Sequence, residues 1–150
     1  MSTVGYSRRS IQIDGKPVLL ISGSVHYPRT HSSEWDTIFS RMRENGLNCL
    51  DTYVFWNEHE CYDWNSGEIS YDFLERKDLF GFLKCAQRHG LYVILRVGPY
   101  VCAEVNYGGF PPRLRDAPGI KFRTYNEPFM SAGTLILTVL HVYFVHLRQH

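Results

Sequence analysis

The chain has 150 residues, 44% of them hydrophobic and 15% aromatic, which suits one globular domain with a modest core and excludes a disordered chain. Its 16 Lys and Arg stand against 15 Asp and Glu, a formal net charge of +1, so no basic footprint marks a nucleic-acid partner. The opening MSTVGYSRRSIQIDG has two arginines without an apolar run behind them, so no signal peptide is visible and the compartment is left unassigned.

In chain order, the alternation Ile11-Gln12-Ile13 runs into Asp14-Gly15, a hairpin signal that predicts a lid on the bottom of a barrel. Val18–Val25 is a predicted apolar strand that delivers His26, Tyr27 and Arg29 at its end. Ser33 with Asp36 makes a variant capping box, and Trp35, Ile38, Phe39 and Met42 at helical spacing predict a helix closed by Gly46. Asn48–Phe55 is a second strand, followed by Trp56, Asn57, Glu58, His59 and Glu60. A loop of about twenty residues follows, long enough to read as functional. Asp78–His89 is a second helix, with Leu79, Phe82, Leu83 and Ala86 on one stripe and Gly90 as its stop. Leu91–Val97 is rich in β-branched residues and predicts a parallel strand covered on both faces. Just past it lie Tyr100, Cys102 and Glu104.

This β-α-β-α-β order specifies parallel strands with right-handed crossovers, as in a doubly wound sheet or a (β/α)₈ barrel. No Gly-x-Gly-x-x-Gly follows the first strand, which counts against a dinucleotide fold. In either fold the ligand edge is the carboxyl end of the strands.

Three constellations gather at that edge. Glu58, Glu60 and Glu104 all follow strand ends, and two carboxyls across a cleft are what glycoside hydrolysis requires; the alternative is ion pairing with Arg29 or Arg96. His26, His31, His59 and Glu60 could offer metal ligands, but they lack helical i, i+4 spacing or a short ligand motif, and no metal or other cofactor is expected. Tyr27, Tyr53, Trp56, Trp64, Tyr100 and Tyr107 are aromatics spread over loops, suited either to stacking on the C–H faces of sugar rings or to plain loop packing. The four cysteines Cys49, Cys61, Cys85 and Cys102 form no Cys-x-x-Cys pair, which argues against a structural zinc knot and reads Cys49 and Cys85 as buried thiols.

GSVHYPR (Gly23–Arg29), GLNCLDTYVFWNEHE (Gly46–Glu60) and GLYVILRVGPYVCAE with NYGG and FPPRL (Gly90–Leu114) resemble, in order, the signature blocks of the glycoside hydrolase family 35 β-galactosidases. The resemblance runs from about Gly5 to Met130. It implies an α/β fold, a partial TIM (β/α)₈ barrel with roughly the first three βα units, since a full barrel takes about 250 residues. It implies retaining hydrolysis of terminal β-linked galactose by two glutamates. By the same resemblance Tyr53, Cys102, Ala103 and Glu104 line the galactose pocket, with Glu104 accepting sugar hydroxyls rather than acting as the acid.

The family's acid/base and nucleophile glutamates belong to later strands, so no catalytic residue is assigned in this chain. Asn126-Glu127 is a superficial match to the Asn-Glu block. Cys61, Val105 and Arg113 stand where the family usually has proline, tryptophan and an aromatic.

Residues 1–130 are therefore expected to form the amino-terminal part of a catalytic barrel, and residues 131–150 an atypical apolar tail that either replaces the third barrel helix or is a read-through end. That tail is too short and broken to span a membrane. The open sheet is expected to favour self-association through its edges. The expected partner is a β-galactoside, and the alternative to a hydrolase is a non-catalytic galactose-binding or interaction fragment.

Overall fold

A computed structural model describes residues 3–147, with side-chain surroundings as far as residue 142. The first three strands, β1 (Val4–Tyr6), β2 (Ile11–Ile13) and β3 (Lys16–Val18), form an antiparallel meander. The predicted hairpin turn is there: Asp14 and Gly15 both take positive φ, 51° and 74°, the pair of values that matches the twist of a two-residue hairpin.

A separate parallel sheet organises the rest. Its order is β4 (Ser22–Ser24), β5 (Cys49–Tyr53) and β8 (Tyr92–Arg96), with Gly23 opposite Leu50 and Leu50 opposite Val93. Between β5 and β8 the chain makes a one-turn helix α2 (Trp56–His59) and a hairpin of β6 (Glu60–Tyr62) and β7 (Ile69–Tyr71). Sequence periodicity reads that hairpin as loop, because strands of three residues are too short to show an alternation.

Helices α1 (Trp35–Glu44) and α3 (Leu79–Arg88) pack on each other and on one face of the sheet. α1 buries Trp35, Phe39 and Met42, and α3 buries Leu79, Phe82, Cys85 and Ala86. Phe82 sits at the centre, its ring 5.1 Å from both Trp35 and Phe39 and 5.9 Å from Tyr27. Asp78 caps α3 by accepting from the Gly81 N–H at 2.8 Å, and Gly46 closes the turn after α1 with φ 83°. The predicted capping box at Ser33 does not form. Ser32–Glu34 is a 3-10 turn capped by the His31 ring, and Asp36 reaches instead across to α3.

Two further expectations change. Val18–Val25 is not one strand: Val18 ends β3, and only Ser22–Ser24 joins the parallel sheet. β8 is not covered on both faces. It pairs with β5 alone among the described strands, and Tyr92, Val93 and Ile94 are 40%, 36% and 40% exposed. Its apolar run is that of a central strand, but as an edge it has one neighbour and one packed face.

The last helix, α4 (Glu127–Leu147), begins where Asn126 Oδ1 accepts from the Phe129 N–H at 3.2 Å. It buries Ile136 and Leu140 in the core and sets Phe129 against Phe110, 5.5 Å between rings. Residue 130, the expected seam between family-like chain and tail, lies inside this one continuous helix. No helix among the described residues is long and apolar enough to cross a membrane.

Phe82→Ala removes the ring on which α1, α3 and Tyr27 converge. It is expected to cost about 3–5 kcal/mol, read as a lowered urea midpoint with an unchanged m-value.

Candidate functional site

The carboxyl ends of β4, β5 and β8 carry the groups that the sequence singles out, and a buried relay fixes their backbone. Tyr27, fully buried just after β4, accepts the Phe55 N–H at 3.1 Å, and its hydroxyl lies 2.6 Å from His59 Nε2. His59 Nδ1 is 2.8 Å from the Asp72 carbonyl oxygen, an acceptor only, so the ring is neutral with its proton on Nδ1, and Tyr27 donates to Nε2. Stacking on Phe73, 4.1 Å between centroids, closes the site to water. Burial pushes the His59 pKa down to about 4 and holds the Tyr27 hydroxyl well above its usual value.

With both ring nitrogens engaged, His59 has none free for a metal. His31 accepts from the Ser33 N–H, His26 lies 3.4 Å from the Thr52 hydroxyl, and Glu60 is held by other groups. The structure therefore does not bring these four residues together as one ligand set.

Glu60 is an ion-pair partner, as one reading of the sequence has it, although the cation is neither Arg29 nor Arg96. Its side chain is fully buried, with Arg113 Nε donating to Oε1 at 2.5 Å and Nη2 to Oε2 at 2.9 Å. Trp56 Nε1 adds a bond at 2.8 Å to Oε2, and the Tyr71 hydroxyl one at 3.5 Å. A carboxylate held in this way, with none of its side chain exposed, is closed to substrate. Arg113 also lies over the Tyr62 ring, 5.8 Å to the centroid, so a cation at this position anchors the 3-10 turn Pro112–Asp116 to the β6–β7 hairpin.

The four residues expected to line a pocket fall partly together. The Tyr53 hydroxyl donates to the Cys102 carbonyl at 3.4 Å, which joins the end of β5 to the segment beyond β8. Arg96 lies over the Tyr53 ring at 4.2 Å, and the ring is 7% exposed. Ala103 is buried, and its carbonyl accepts from Arg29 Nη2. Cys102 and Glu104 are exposed. Glu104 takes φ 49°, a left-handed value unusual for a side-chain-bearing residue. Such strain persists where the surroundings over-determine it, which is common at ligand sites. Glu58 shares a 3.1 Å bond with the Asn57 amide.

Beside this segment the turn Asn106–Gly109 comes close to the backbone. Gly108 and Gly109 have φ 63° and 83°, and a Cβ there would meet the Tyr100 ring at 2.3 Å and Val101 at 2.4 Å. Only glycine fits at either place. Of the six aromatics, Tyr27 and Trp56 are fully buried and serve the core, whereas Trp64, Tyr100 and Tyr107 are exposed. Trp64 packs edge-on to Tyr62 of the hairpin, 4.8 Å away. Arg123 covers the Tyr100 ring at 4.2 Å. The set is thus divided between core and surface, because large rings fill the gaps under loops before they serve as platforms.

Asn126-Glu127 is structural in this fold. Asn126 caps α4, and Glu127 accepts from the Ser131 hydroxyl one turn on at 2.5 Å.

Residues 10–147 match the model of glycosyl hydrolases family 35. The chain belongs to that family. Family 35 relatives include beta-galactosidase 8 of Arabidopsis thaliana, 51% identical over 128 residues, and beta-galactosidase 6 of Oryza sativa subsp. japonica, 50% identical over 128 residues. Each alignment covers 85% of this chain and 14% of the relative, so the family 35 chain described here spans about one seventh of their length. Among solved structures, the endo-1,4-beta-mannanase from Rhizomucor miehei superposes with a TM-score of 0.52 at 20% identity, over 61% of this chain and 28% of the enzyme. That likeness is one of fold, consistent with a TIM-barrel arrangement.

Two outcomes follow from the buried polar groups. Glu60→Gln leaves the Arg113 guanidinium without its counter-charge and is expected to cost about 3 kcal/mol, with partial recovery in the Glu60→Gln/Arg113→Met double variant, both read by urea unfolding. For His59 the unfolded value of 6.5 exceeds the folded value of about 4, so the unfolded chain binds the extra proton between them. Its contribution is full above pH 6.5 and is lost as pH falls toward 4, about 3 kcal/mol in all. Unfolding free energies measured from pH 7 to pH 4 should show that step in the parent chain and lack it in His59→Phe.

Proposed function

We propose that this chain supplies the galactose-recognition part of a family 35 glycoside hydrolase site, which in complete form releases terminal β-linked galactose with retention. The observation that carries the reading is the junction of β5 and the segment after β8, where the Tyr53 hydroxyl meets the Cys102 carbonyl next to Ala103 and the strained Glu104. In this reading Tyr53, Cys102, Ala103 and Glu104 line the pocket. The exposed Glu104 carboxylate offers acceptors to sugar hydroxyls, while Tyr53 and Arg29, bonded to the carbonyls of residues 102 and 103, hold the segment that presents it.

The same reading treats β4, β5 and β8, with their helices, as roughly the first three units of a barrel, residues 1–130, followed by the apolar helical segment from 131 onward. Hydrolysis needs an acid and a nucleophile flanking the scissile bond. Among the described carboxylates at the strand ends, Glu60 is held by Arg113, and Glu58 makes a 3.1 Å bond with its neighbour Asn57. In this reading Glu104 accepts sugar hydroxyls and does not cleave, because differential stabilisation of an oxocarbenium-like state needs a pair of carboxyls flanking the bond. The exposed row Tyr92, Val93 and Ile94 on the open edge gives the isolated chain a route to self-association.

The test uses the purified 150-residue chain. Galactose is expected to perturb the amide resonances of Cys102, Ala103 and Glu104, with affinity reduced roughly tenfold in Glu104→Gln, the loss of one charge-assisted bond of about 1.4 kcal/mol. A chromogenic β-galactoside should show no turnover above a heat-killed control. Turnover would refute the division of roles, and absence of galactose binding would refute the site.

A further inference from the structure

One cluster of potential ligands lies in the helical layer, away from the strand ends. Cys85 lies in the last turn of α3 and His89, four residues on, caps the end of that helix, so their side chains project on the same side. Asp36, from the first turn of α1, meets both: its Oδ1 is 2.9 Å from His89 Nε2 and 3.5 Å from Cys85 Sγ. All three ligand atoms lie within 4.8 Å of one another. A tetrahedral zinc ion with one thiolate, one imidazole and one carboxylate sets its ligand atoms roughly 3.3–3.7 Å apart, given bonds of about 2.0–2.3 Å. The cluster is within a few tenths of an ångström of that on the carboxylate edges.

We propose that Asp36, Cys85 and His89 form a divalent-metal site of zinc type, with water as fourth ligand, that staples α1 to α3. Thiolate, imidazole and carboxylate together select zinc over the hard cations magnesium and calcium. A shallow depression lined by Asp36, Thr37, Ser40, Arg41, Glu44 and His89 opens beside the cluster and gives the ion its path. Arg88 Nη2 also touches Asp36 Oδ1, at 3.4 Å, but both partners are more than half exposed. Such a pair is weak, and it can move to the carboxylate's other oxygen when Oδ1 takes the metal. Burial and the Asp36 carboxylate push the Cys85 thiol up to about 11. Binding therefore releases one thiol proton to solvent, and the cation reverses the local charge that disfavours the thiolate.

Cobalt(II) is the probe, titrated into the full chain under reducing conditions. The expected result is a thiolate-to-cobalt charge-transfer band with the intense visible absorption of four-coordinate cobalt, displaced by zinc. Cys85→Ser should lose the band, whereas Cys61→Ser and Cys102→Ser, which remove exposed thiols, should keep it. His89→Gln should weaken zinc binding roughly tenfold or more. This variant decides the matter if Cys85→Ser does not fold. No band in the parent chain, or one that survives Cys85→Ser or moves with Cys61 or Cys102, overturns the site.

Discussion

The Tyr27–His59 bond is the constraint on which the arrangement of strand ends depends. One phenol hydroxyl takes the Phe55 N–H after β5 and gives its proton to a ring whose other nitrogen holds the backbone after β7. Three segments distant in sequence are thereby fixed at one buried point. Every donor and acceptor in the chain of bonds has a partner, which is the condition under which a polar network in a core adds rigidity rather than cost. Tyr53, two residues before the Phe55 N–H that this network holds, inherits its position from it.

The Glu60–Arg113 pair does for the loops what the tyrosine does for the strands. A bidentate pair with an indole N–H beside it is directional, and it ties the turn before residue 117 to a hairpin that has only two short strands of its own. The anchor is ionic, where an aromatic ring in place of Arg113 could only pack. The two solutions differ in physics: the ionic one requires both partners, and a lone buried carboxylate would carry a heavy desolvation penalty.

Much of this was legible in the sequence. The helical stripes of α1 and α3, the hairpin turn at Asp14-Gly15 and the delivery of polar groups past the strands follow from period and turn chemistry, which are local properties. What could not be read depends on neighbours. The apolar run of β8 says that the strand suits a sheet interior but not how many strands flank it. His59 and Glu60 look like ligands or acids on their type alone; only their partners, thirteen and fifty-three residues away, reveal saturated groups. Tyr27 and Trp56 look like sugar platforms until their burial is known. The Cys85–His89 spacing was visible, but its third member lies on another helix.

The paired glycines at 108 and 109 carry a practical consequence for protein engineering. Their backbone is wedged against Tyr100 and Val101 with no room for a methyl group, so a library that varies this segment has to hold these two codons constant. Diversity is tolerated two steps earlier, at Asn106, whose side chain faces solvent, whereas Tyr107 shares the left-handed backbone with φ 54°.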